Sequence, residues 1–136
     1  MPASEDESLV IDSSKSLKDL APSVYRQRLL LEGYFDDEMT EERVRTYLLQ
    51  LAEALDLRTY SDPIVFQPAS GMGKDENAGF DAFVPLIDSG ISAYFWSGAC
   101  FFSILIYTCK GFEADTGIAK TRELLQAHGE IVSHSF

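Results

Sequence analysis

Residues 80–109 read FDAFVPLIDSGISAYFWSGACFFSILIYTC. Three apolar runs lie within this stretch, Phe80–Ile87, Ile91–Trp96 and Phe101–Cys109, each of strand length and rich in aromatic and β-branched residues. Asp88-Ser89-Gly90 separates the first two runs and reads as a turn, while Ser97-Gly98-Ala99 joins the last two. In the last run Phe101, Leu105 and Tyr107 fall on one face and Phe102, Ile104 and Ile106 on the other. A strand apolar on both sides belongs in the middle of a sheet that is covered twice.

Outward from this stretch the periodicity changes. Thr40 with Glu41 and Glu42 reads as a helix start, acids at the positive end of the dipole. Val44, Tyr47, Leu48, Leu51 and Leu55 then recur at spacings of three and four, which predicts an amphipathic helix over about 40–55. Val24–Tyr34 reads as a strand before it and Leu57–Phe66 as a strand after it, interrupted or at an edge because of Pro63. Residues 68–79 are loop by composition. Their GMGK is not a phosphate-binding loop, since both the first Gly and the residue after Lys74 fail the pattern. A second helix, capped by Asp115 or Thr116, is expected to stop at Gly129, and Ile131–Phe136 to close the chain as a strand.

The expected order is β-α-β-β-β-β-α-β. Successive strands between two helices argue for an α+β fold, a two-layer sandwich with an antiparallel sheet and two helices on one face. Two helices cover only one face, so a second copy of the chain is the economical cover for the other, and a homodimer is expected.

The chain has 136 residues, 46% hydrophobic and 24% charged, which suits one domain. Residues 1–22 are polar and acidic and read as a disordered leader, leaving 23–136 as the single domain. Net charge is −11, from 22 acids against 11 bases. Nucleic-acid partners need the opposite balance, whereas a cationic small molecule suits this one. No apolar run approaches the roughly 20 residues of a membrane span, and MPASEDESLV lacks a secretory n- and h-region, so a cytoplasmic protein without membrane contact is expected. Cys100 and Cys109 make no disulfide framework and are read as free thiols on one extended segment. His128 reads as a last-turn helix cation, and no metal site is evident in the spacing of the two histidines.

Asp88-Ser89 at a tight turn between buried strands is a place where a chain can attack itself, although a structural hairpin has the same composition. Cys109 is equally compatible with a plain buried strand cysteine. The surrounding motifs carry more. DSGISAYFWSG over 88–98 aligns with E-S-H-[IL]-[ST]-I-H-T-W-P-E, and IYTCKG over 106–111 aligns with a strand ending F-T-C-G, with the spacing from Trp96 to Cys109 unbroken. RLLLEGY over 28–34, one residue shorter, looks like R-H-L-[LV]-x-[DE]-x-Y. Over about residues 24–136 the chain resembles the small prokaryotic class of S-adenosylmethionine decarboxylases, the pyruvoyl-dependent enzymes of polyamine synthesis.

The resemblance implies that Ser89 is the precursor of a pyruvoyl cofactor, with Asp88 in place of the Glu before the cleaved bond and Cys109 as the proton donor in decarboxylation. It places Tyr94 where the family has the histidine that assists processing, and Asp81 where it has a second processing serine. Gly98 stands for the glutamate that binds the nucleoside ribose, Ser97 for the proline before it, and Gly90 for a histidine. Glu32 and Trp96 fall on substrate-binding positions. The implied substrate is S-adenosylmethionine or, with the ribose acid gone, another amino acid, and no metal is implied. The alternative is an unprocessed, catalytically inactive homologue that binds S-adenosylmethionine or regulates a partner chain.

Overall fold

A computed structural model describes residues 17–68 and 73–136. Strand β1 spans Gln27–Tyr34, helix α1 Glu41–Ala54, and strands β2 to β5 Ile64–Phe66, Gly79–Leu86, Ser89–Trp96 and Phe101–Thr108; helix α2 spans Ala114–Leu125 and strand β6 His128–Ser135. The strands form one antiparallel sheet in the order β2-β3-β4-β5-β1-β6. It is the expected α+β sandwich.

Alternation along the strands sorts the side chains. Leu31, Val84, Ile91, Phe102, Ile104 and Ile106 point to the face that Val44, Leu48 and Leu51 of α1 cover, and all are buried. Thr40 caps α1, its hydroxyl accepting from the Arg43 amide at 3.1 Å, as its position before Glu41 and Glu42 predicts. Between the helices, the Tyr47 hydroxyl meets Thr121 Oγ1 at 2.8 Å in full burial. Burial holds this phenol protonated well above its ordinary range, opposed by the Thr121 hydrogen bond. Tyr47→Phe is expected to cost about 1–2 kcal/mol, read as a lower urea midpoint, because Thr121 loses its partner. The unfolded chain releases the Tyr47 proton near 10.0 and the folded chain does not. That contribution is therefore intact below pH 10 and lost as pH climbs above it, and the phenylalanine variant escapes the loss.

Several boundaries differ from expectation. Of Leu57–Phe66 only Ile64–Phe66 is a strand: Leu57 is a buried anchor, Thr59 makes a lone bridge to Leu86, and Pro63 brings no N–H to a ladder. The second helix ends at Leu125, where Gln126 takes the left-handed conformation (φ 49°) and the Ala127 amide returns to the Arg122 carbonyl at 2.9 Å. Gly129 therefore lies inside β6. His128 opens that strand rather than closing a helix, with its Nδ1 3.0 Å from Asp36 Oδ1. The hairpin turn is Ile87-Asp88, and Ser89 and Gly90 already belong to β4. Cys100 lies in the β4–β5 turn at φ 53°, and Cys109 follows β5 and is exposed, so neither is a buried strand cysteine. The expected leader falls mostly outside the described residues; Asp19, near its end, pairs with Arg26.

The second sheet face carries Ile64, Phe66, Phe83, Tyr94 and Tyr107, each at least two-fifths exposed, and among the described residues nothing covers it.

Candidate functional site

The β3–β4 hairpin and the end of β5 bring three of the expected residues together. Ser89 stands opposite Thr108 in the β4–β5 register, so Cys109 is the next residue along from its partner. The Cys109 amide donates to the Asp88 carbonyl at 2.8 Å. That carbonyl belongs to the Asp88–Ser89 bond. Ser89 itself has φ 136°, a region essentially reserved for glycine and costing about 1–3 kcal/mol for any other residue.

The Asp88 side chain is buried. Its Oδ1 lies 3.5 Å from Arg58 Nη2, while Oδ2 is buried without a hydrogen-bond partner among the described residues. On the other side, Thr108 is fully buried and its hydroxyl donates to the Lys110 carbonyl at 2.5 Å. Gln27 then grips the next turn through both ends of its amide: Nε2 donates to the Phe112 carbonyl at 3.0 Å, and the Phe112 amide donates to Oε1 at 2.9 Å. The segment bearing Cys109 is thus tied at both flanks.

The other expected residues stand elsewhere. Tyr94 lies five residues along β4, about 17 Å from Ser89 at the usual rise per residue, and on the open face. It belongs to a row across that face, Asp81–Tyr94–Ser103–Glu32, set by the register of β3, β4, β5 and β1. Within the row Ser103 Oγ donates to Glu32 Oε2 at 2.6 Å. Trp96 is farther still from Ser89, its indole N–H 3.3 Å from Asn77 Oδ1 and its ring 5.4 Å from Phe101. At Gly90 a Cβ would sit 2.4 Å from the Phe83 ring, so Phe83 occupies the space a histidine there would need.

Sequence reading missed the segment Asp56–Arg58. Lys110 Nζ donates to the Asp56 carbonyl at 2.8 Å and reaches its carboxylate at 3.3 Å, and the Ile87 amide donates to the Arg58 carbonyl at 2.8 Å. One short segment braces both sides of the Asp88–Ser89 bond. The only signal in the sequence is the buried Leu57 between two charges, which reads equally well as a strand. Among the described residues no group of three or more His, Cys, Asp or Glu is arranged to hold a metal, and no helix is long and apolar enough to cross a membrane.

An antiparallel six-stranded sheet backed by two helices, with a strained serine at a central hairpin, defines an α+β sandwich in which Asp88, Ser89 and Cys109 meet at one sheet end. Among solved structures it is similar to the adenosylmethionine decarboxylase of Aquifex aeolicus, with a TM-score of 0.66, covering 83% of this chain and 89% of that one at 19% identity. The likeness is one of fold. No family model and no curated protein matches the chain.

Proposed function

We propose that this protein is a pyruvoyl-dependent decarboxylase that cleaves itself between Asp88 and Ser89 and acts on S-adenosylmethionine or a related amino acid. The observation that carries the reading is the backbone at that bond: a non-glycine residue held at φ 136° next to a carbonyl already held by the Cys109 amide. Strain raises the peptide toward cleavage, and the amide stands where negative charge on the Asp88 oxygen would develop.

Ser89 Oγ adds to the Asp88 carbonyl carbon, the C–N bond breaks, and the hydroxyl proton ends on the freed amine, leaving an ester. The Ser89 α-proton is then removed and the Cβ–O bond breaks, so that Asp88 departs as a carboxylate with the electron pair. Water hydrolyses the resulting enamine, through its imine form, to a ketone and ammonia. A pyruvoyl group at position 89 supplies an electron sink for the carbanion left when carbon dioxide departs. Cys109, exposed and one residue past the register partner of Ser89, is the group that returns the proton.

Tyr94, Glu32 and Trp96 lie too far from Ser89 of the same chain to share its site. A second copy packed on the open face would cover the exposed Phe83, Tyr94 and Tyr107 and could bring such residues to Ser89, which supports a homodimer. The acidic balance suits a cationic sulfonium or ammonium substrate, and two unpaired thiols suit a reducing cytoplasm.

Intact mass of the denatured protein tests the reading. Two fragments, residues 1–88 and 89–136, the second with a blocked amino end, are expected. A single species at 15.1 kDa overturns it and leaves an unprocessed homologue that binds without turnover.

A further inference from the structure

We infer that Arg58 is a positioning residue for cleavage of the Asp88–Ser89 bond, acting as the countercharge that keeps the buried Asp88 carboxylate from opposing charge on its own carbonyl. The inference rests on the self-cleavage reading above and adds a residue that neither the motifs nor the fold likeness marks.

The Asp88 carboxylate lies within the residue that carries the reacting carbonyl. When Ser89 Oγ adds, the carbonyl oxygen becomes an anion a few bonds from a second negative charge, in a place from which water is largely excluded: the Asp88 side chain is 10% exposed and its Oδ2 has no partner among the described residues. Like charges at such range oppose each other strongly where water is scarce. The Cys109 amide answers the oxyanion, but nothing on the Cys109 side answers the carboxylate, because Lys110 is committed to the Asp56 carbonyl and carboxylate. Among the described residues Arg58 forms the one ion pair to Asp88, at 3.5 Å.

Arg58 is also well rooted for the task. Its carbonyl accepts the Ile87 amide at 2.8 Å, the Tyr60 amide reaches the Pro85 carbonyl at 2.9 Å, and Leu57 is anchored in the core. The backbone on which the guanidinium stands is therefore fixed against the turn it serves. The guanidinium itself is 66% exposed, so the pair adds little to folding and is open to screening by salt.

The test follows the full-length chain from cell-free synthesis, with the uncut species and its fragments resolved on denaturing gels over time. Arg58→Ala is expected to slow fragment formation by about fivefold, the upper end of what a solvent-exposed ion pair contributes. Arg58→Lys keeps the charge and is expected to recover at least half of the lost rate. Sodium chloride at roughly 0.5 M should slow the parent chain toward the alanine variant and leave that variant unchanged, since only the ion pair is screened. Urea midpoints of all three chains should agree, which separates positioning from a structural defect. Cleavage of Arg58→Ala at the parent rate, or a lysine variant as slow as alanine, overturns the assignment to Arg58 alone. A parent chain that stays whole overturns the self-cleavage reading itself and Arg58's role with it.

Discussion

Ser89→Ala is expected to leave the chain whole at 15.1 kDa with its fold intact, because alanine keeps the backbone and Cβ but removes the only atom that can attack the Asp88 carbonyl. Ser89→Gly should be equally uncut and more stable. Glycine takes φ 136° freely, releasing about 1–3 kcal/mol of strain, partly offset by about 0.4–1 kcal/mol from its greater freedom in the unfolded chain. The comparison is clean because both variants are single uncut chains. Urea midpoints and mass spectrometry read the two effects separately. A glycine variant no more stable than alanine would show that no strain is stored at residue 89. Fragments from the alanine variant would show that cleavage does not use the serine hydroxyl.

Gly79→Ala should have the largest effect on stability. Gly79 pairs with Trp96 at the start of β3, where the two backbones approach so closely that a Cβ would sit 1.7 Å from the Phe95 carbonyl oxygen and 2.8 Å from its carbon. No rotamer relieves a clash with backbone, so the β3–β4 pair must part at this end or shift. The expected cost is about 3 kcal/mol or more, the upper part of the range for overpacking, out of about 5–15 kcal/mol for a whole domain. A fall in the urea midpoint measures it. Because β3–β4 also carries the hairpin at Asp88, a variant that survives should cleave more slowly. By contrast, a methyl at Gly98 meets nothing within 4 Å, and Gly98→Ala serves as the matched control.

The fold was legible because its signals are local and repeated. The spacing of Val44, Tyr47, Leu48 and Leu51 is a helix face wherever the chain puts it, and Thr40 caps it through its own third neighbour. The runs around Ile91 and Ile104 alternate between a face with none of its side chains exposed and one left half open, and that alternation is a property of extended chain. What misled was punctuation. Gly129 looked like a helix end, yet Gln126 took the left-handed turn three residues sooner, and the Ala127 amide closed the helix there on the Arg122 carbonyl. Leu57 looked like strand and proved to be an anchor.

The candidate site divides in the same way. Asp88, Ser89 and Cys109 were named from residue types in a recognisable order, and their order along two paired strands is enough to bring them side by side once the register is set. Tyr94 and Glu32 were named on the same grounds and stand in a separate row on the open face, since strand parity, not distance in sequence, decides which side a residue serves. Three further facts have no trace in the amino-acid order. They are the φ of Ser89, the amide of Cys109 on the Asp88 carbonyl, and the guanidinium of Arg58 thirty residues from the carboxylate it faces. Sequence alone determined where helices and strands form and which side of each is apolar, because those follow from interactions within a few residues. Only the tertiary structure decided which backbone bond is strained and what charge faces it, because both arise where three separate segments meet.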